Sequence, residues 1–196
     1  MKIEQPLSAE VLNLDLAFRS CIPLTVKHHI DEESRSLLTD LNTWRFTLTE
    51  WIYFVRENHQ LTCPELVRTN NSLSLGLVFT DDSAIAELNK TWRKKNMPTD
   101  VLSFAALEGE FVQPSIGAIE LGDIFVSVET AFRQGSFYNQ SLGQELRWLV
   151  SHGILHLLGW DHPCVESHSN MLTLQEELIK IKYQLSSDKC LKLINK

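Results

Sequence analysis

Positive charge, paired cysteines and long apolar runs are all scarce in this chain of 196 residues. Lys and Arg number 18 against 25 Asp and Glu, giving a formal net charge of −7. Coating a polyphosphate by bulk electrostatics needs clustered Lys and Arg, so the charge is a poor footprint for a general nucleic-acid-coating protein, although it does not exclude an enzyme with a local basic groove. The four cysteines, Cys21, Cys63, Cys164 and Cys190, form no C-x-x-C pair. That argues against both a zinc knuckle and a redox dithiol. Reduced thiols are the expectation, with Cys164 noted for standing two residues after His162. No stretch approaches the roughly 18 to 20 apolar residues of a membrane span. Glu4, Glu10 and Asp15 interrupt the N-terminus before an apolar block can form, so no secretory signal is expected. Glycine is held to 8 residues, and there is no internal repeat, low-complexity tract or linker. The expectation is one soluble, cytoplasmic domain over residues 1–196, with 1–10 as a short tail.

What is present is mixed patterning. Leu12, Leu14, Leu16 and Phe18 alternate with Asn13, Asp15 and Ala17, predicting a half-buried strand. From Asp31 to Glu57 apolar residues recur at three- and four-residue steps, predicting an amphipathic helix with a break near Phe46–Thr49, where β-branched residues gather. Pro64 and Asn70-Asn71-Ser72 mark a loop. Leu73–Thr80 reads as a strand, and Asp81, Asp82 and Ser83 are caps for a helix through Ile85, Leu88 and Trp92. Val101–Ala105 and a segment centred on Ile124–Val126 read as further strands, separated by a hairpin-like excursion through Glu108–Ser115. The last third predicts helices over about 129–138, 141–158 and 167–185, with Ser141 and Gln144 forming a capping box. The expected class is α+β: a small mixed β-sheet packed with several helices.

The chemistry concentrates in Ser151-His152-Gly153-Ile154-Leu155-His156-Leu157-Leu158-Gly159-Trp160-Asp161-His162. Four helical residues advance about 400°, so His152 and His156 project within roughly 40° of each other. Gly159 suits the C′ position, where positive φ ends a helix, and the turn brings His162 round to the same point. Three neutral imidazoles leave a tetrahedral zinc one open position, the arrangement of a catalytic site at the C-terminal end of a core helix. The bland reading of a helical histidine is packing, but a glycine turn and a third histidine weigh against it. The spacing matches H-x-x-x-H-x-x-G-x-x-H, the ligand pattern of metzincin proteases. In H-E-x-x-H enzymes the residue after the first histidine is the glutamate base; here it is Gly153, which disfavours peptide hydrolysis. Asp161 is either a turn residue or an acceptor orienting a ligand imidazole. Trp160 reads as a packing residue.

A second constellation lies upstream, where Lys90, Arg93, Lys94 and Lys95 are four of the 18 basic residues. Cations at a helix C-terminus complement the dipole, so they need no ligand. The alternative is an anion site in which Arg93 clamps a phosphate bidentately.

The blocks Leu88-Asn89…Trp92-Arg93…Pro98-Thr99-Asp100-Val101-Leu102-Ser103-Phe104, then Leu121-Gly122-Asp123-Ile124-Phe125-Val126-Ser127, then the histidine run, together resemble the YbeY family of metal-dependent endoribonucleases. The resemblance covers about Leu73 to Leu185. It implies an α+β domain with a metal in a cleft and hydrolysis of single-stranded RNA. It also implies roles in ribosomal RNA maturation, notably at the small-subunit RNA 3′ end, and in ribosome quality control. The family's metal ligands fall on His152, His156 and His162, with zinc as the inferred ion, and its important arginine falls on Arg93. Ribosomal or small-subunit protein partners are implied; membrane and DNA are not. Trp92 and Trp160 stand where other aromatics are common, and Ala105 where proline is frequent. Two alternatives stay open on sequence: a metzincin-like metallopeptidase, and a metal-stabilised ribosome-associated binding protein with little turnover.

Overall fold

The computed structural model describes residues 11–108 and 117–181. In chain order the elements are β1 Asn13–Ser20, α1 Leu24–Lys27, α2 Glu32–Thr39, α3 Leu41–Glu57, α4 Glu65–Thr69 and β2 Ser72–Thr80. There follow α5 Asp82–Arg93, β3 Val101–Ala105, β4 Ile119–Ser127, α6 Val128–Phe137, α7 Leu142–Leu157 and α8 Val165–Lys180. The tail 1–10, the tip of the excursion at 109–116 and the extension of the last helix past 181 lie outside the described residues.

The sheet runs β1-β2-β4-β3, with β1, β2 and β4 parallel and β3 antiparallel to β4. It is therefore mixed, and the class is α+β. On one face Leu14, Leu16, Leu73, Leu75, Leu77 and Phe79 are buried at every second position. Over this face pack α3, on β1, through Trp44, Leu48, Trp51, Ile52 and Val55, and α7, on β3 and β4, through Leu146, Val150 and Ile154. In β4 the alternation slips: Ile119 and Leu121 are buried, then Ile124 and Val126. The slip is a bulge, where Ser74 and Gly76 of β2 face Glu120 and Asp123 of β4. Gly122 supplies it with φ +120°, and a Cβ there would collide with the Phe104 carbonyl oxygen. The opposite face is covered by α5 at the β3 end, where Trp92 meets Phe104.

Helix starts follow their caps. Asp31, Asp81 and Ser127 accept the backbone N–H of Ser34, Ala84 and Thr130, and Ser141 with Gln144 forms the full capping box. The break expected near Phe46–Thr49 occurs instead at Asp40. That carboxylate accepts Asn42 N–H and the Thr43 hydroxyl, so the chain stops and restarts there. Thr49 keeps its hydroxyl on the Arg45 carbonyl within an unbroken α3. The loop expected after Pro64 contains the one-turn α4.

Candidate metal centre and anion cleft

α7 ends as its glycine dictates. Gly159 has φ +86°, its N–H donates to His156 O, and Trp160 N–H donates to Leu155 O at 3.0 Å. These 5→2 and 6→1 bonds form a Schellman motif. Trp160 then anchors the turn by giving its indole N–H to Thr62 O at 2.9 Å. Asp161 accepts the N–H of His162 at 2.8 Å, so it acts as a turn residue and meets no imidazole through a hydrogen bond. The turn brings His162 beside the other two rings, with centroids 5.3 Å from His152 and 5.2 Å from His156. One nitrogen from each of the three lies within 4.8 Å of the others.

Hydrogen bonds fix the tautomers of two of these rings. His156 Nδ1 lies 2.9 Å from the Trp160 carbonyl, which can only accept, so Nδ1 carries the proton. His152 Nδ1 lies 3.0 Å from Gln175 Oε1. The Gln175 amide is itself oriented, since its NH₂ donates to Trp148 O and Ser151 Oγ. His152 Nδ1 is therefore also a donor. Both Nε2 atoms then present lone pairs to each other at 3.0 Å. Two facing lone pairs repel unless a cation or proton lies between them. Burial, with the neighbouring His152 charge second, pushes His156 down to about 4, and burial lowers His152 too. Near neutral pH both rings are neutral, with Nε2 unprotonated, so the donor set fits a divalent ion accepting nitrogen ligands.

The cluster opens on a cavity of about 570 Å³, lined also by Arg93, Thr99, Asp100, Ser103, His168 and Gln175. Arg93 ends α5, is exposed, and lines the histidine cavity. Asp100 is held by Val101 N–H at 2.8 Å and by the Gln134 amide at 3.0 Å. Cys164 does not join the cluster; it is exposed at the start of α8, 3.3 Å from Ser167 Oγ.

Gly153 faces the sheet. A Cβ there would lie 2.7 Å from Ile124 Cγ2 and 3.1 Å from Ser103 Oγ, because α7 rests on the sheet at this point. A carboxylate at 153 would be driven into the core and not toward the histidines.

Sequence reasoning missed Gln175 and His168. Both fall in the apolar stripe of α8, in step with the buried Met171 and Leu178, and polar residues inside such a stripe were the available signal. His168 sits edge-on to His162, centroids 5.5 Å apart.

The family model for "Endoribonuclease YbeY" matches residues 30–182. The chain is 51% identical over 170 residues to the Endoribonuclease YbeY of Prochlorococcus marinus strain MIT 9313, covering 87% of this chain and 91% of that protein. It is 48% identical to the protein of that name from a second strain of the same species, covering 86% and 87%. With the protein of that name from Parasynechococcus marenigrum strain WH8102 the figures are 49% identity, 86% and 88%. A histidine triad with two locked tautomers, an arginine across the cleft and this breadth of similarity lead to one conclusion: the chain belongs to the YbeY family of endoribonucleases.

Proposed function

We propose that this protein is an endoribonuclease that cuts single-stranded RNA with one zinc ion held by His152, His156 and His162. The facing Nε2 lone pairs of His152 and His156, 3.0 Å apart at the mouth of a cavity that Arg93 also lines, carry the reading. A bound zinc ion supplies Lewis acidity and an acidified water. The chain's own part is to hold and orient. Gln175 and the Trp160 carbonyl keep both Nδ1 atoms protonated, leaving Nε2 free. Arg93 binds the scissile phosphate and offsets charge growing on its non-bridging oxygens. No glutamate base stands beside the first histidine, which matters less for RNA than for an amide, since RNA brings a 2′-hydroxyl as an internal nucleophile. The steric closure at Gly153 disfavours the peptidase alternative.

We read residues 1–196 as one domain acting in the cytoplasm, in ribosomal RNA maturation at the small-subunit RNA 3′ end and in ribosome quality control. Among the described residues, no helix is long and apolar enough to cross a membrane. With a net charge of −7 and few local cations, free RNA is bound weakly, and a ribosome or small-subunit protein supplies the remaining affinity. A steep salt dependence of free RNA binding would contradict this.

The test is cleavage of single-stranded RNA by zinc-loaded protein beside Arg93→Ala and His156→Ala variants. Cleavage by wild type alone is expected, with DNA of the same sequence left intact. Intact RNA with wild type, or equal cleavage by all three proteins, overturns the reading. A 2′,3′-cyclic phosphate on the product identifies the 2′-hydroxyl as nucleophile; a 5′-phosphate beside a 3′-hydroxyl assigns water.

A further inference from the structure

Trp92 is 66% exposed, although tryptophan is the side chain with most to gain from burial. Its ring is nevertheless held. Phe104 meets it edge-on, with centroids 5.6 Å apart and an interplanar angle of 61°. Phe104 is held in turn by Phe125 at 5.8 Å and 82°. These contacts fix the indole at its edge and leave ring surface open to solvent.

The surroundings select what would lie on it. From Leu88 to Thr99 the sequence holds no acidic residue, within a chain where acids outnumber bases 25 to 18. Lys90, Arg93, Lys94 and Lys95 are all exposed around Trp92. The loop that follows is fixed: Lys94 takes the left-handed conformation at φ 59°, and the buried Asn89 amide donates to Met97 O at 2.8 Å. An exposed aromatic set rigidly among cations suits a stacking base with its phosphates on either side.

Position ties this surface to the histidine cavity. Arg93, the next residue after Trp92, lines that cavity. Ser103 lines it too, whereas its neighbour Phe104 points to the other face of the sheet and carries Trp92. Among the described residues, β3 thus stands between the cavity and the indole. That strand pairs with β4 along one side and, among the described residues, with no strand along the other. A single strand leaving the cavity past Arg93 crosses this edge and reaches Trp92.

We propose that Trp92 is a stacking platform for an RNA base close to the scissile phosphate. The inference rests on the endoribonuclease reading and adds to it a subsite and a path for the strand. Base–aromatic stacking, measured by alanine substitution, corresponds to roughly 5- to 150-fold in affinity. The experiment uses zinc-loaded protein and short single-stranded RNAs, intact or carrying one abasic nucleotide at successive positions around the cut. Wild type is compared with Trp92→Tyr, which keeps an aromatic face, and Trp92→Leu, which keeps apolar packing on Phe104 without one.

Trp92→Leu is expected to raise KM by roughly 5- to 150-fold with zinc content and kcat little changed, and Trp92→Tyr to recover most of the loss. One abasic position should weaken wild type and leave Trp92→Leu unaffected, because the contact is already gone. A merely structural tryptophan would instead lower stability and zinc content without that position-specific coupling. Equal KM for wild type and Trp92→Leu, or additive effects of the variant and every abasic position, overturns the proposal while cleavage by wild type still upholds the endoribonuclease reading. If wild type neither binds nor cuts RNA, both fall together.

Discussion

Replacing Gly153 by alanine tests how the fold and the site depend on one contact. The added Cβ would meet Ile124 Cγ2 at 2.7 Å, a distance at which something must move. Ile124 is fully buried in β4, and its β-branched side chain cannot swing away at low cost. Overfilling a packed core costs about 1–3 kcal/mol, and this rigid contact belongs in the upper half of that range. Alanine returns about 1 kcal/mol through helix propensity. The net loss is about 1–2 kcal/mol, or roughly 2–8 °C in Tm for a domain of this size. Because His152 is the adjacent residue, the shift of α7 should also weaken zinc binding, measurable by competition with a chelator. Gly153→Glu should be less stable still and should not digest casein, since its carboxylate would enter the sheet interface. A Gly153→Ala protein that melts at or above wild type with unchanged zinc affinity, or a caseinolytic Gly153→Glu protein, would refute the packing argument.

Stability of the metal-free protein should fall with acidification. His156 binds its proton near 4 when folded and near 6.5 when unfolded, so the stability carried by its neutral form is present above pH 6.5 and lost as pH falls toward 4. Thermal melts across that window should show a shallower slope for His156→Gln. Gln175→Leu should lower zinc affinity by about 10- to 100-fold in chelator competition, while Gln175→Glu, which still accepts from His152 Nδ1, retains it. Burial, then the charge of Asp100, raises the Glu145 carboxyl above its ordinary 4.5, so its ionisation destabilises the fold as pH rises through that raised value. Glu145→Gln should melt higher than wild type at pH 7, with the difference vanishing below pH 4.5.

Elements with strong local signals were legible in the sequence. Capping residues located the starts of α5 and α7, the alternation in β1 marked that strand and its buried face, and the apolar content of Leu73–Thr80 marked β2. The one-turn helices α1 and α4 were not legible, because four or five residues cannot display a helical period. The break at Asp40 was masked by apolar spacing that stays nearly in phase across it. In the site, the Gly159 turn and the histidine spacing were local properties of one segment. Arg93 was a different problem. It lies on α5, on the far side of the sheet from α7, and enters the cavity only because β3 is an edge strand. Nothing local in the sequence records that meeting. Gln175 left a trace as a polar residue in the apolar stripe of α8, but its partner His152 lies 23 positions away.

The same burial that completes the core also prepares the site. α7 packs its apolar faces against β3, β4 and α8, and this removes water from His152 and His156. Desolvation holds both rings neutral, and Gln175 with the Trp160 carbonyl fixes which nitrogen keeps its proton. The result is two facing lone pairs that cost stability in the absence of a cation. A fold arranged in this way should be relieved by its ligand, so zinc binding should raise Tm as well as activity. At a thousandfold excess over Kd the linkage amounts to about 4 kcal/mol, more than the Gly153→Ala substitution is expected to remove. Saturating zinc should therefore restore the melting temperature of that variant to at least the level of zinc-free wild type. Stability and metal occupancy are then one measurement made on one helix.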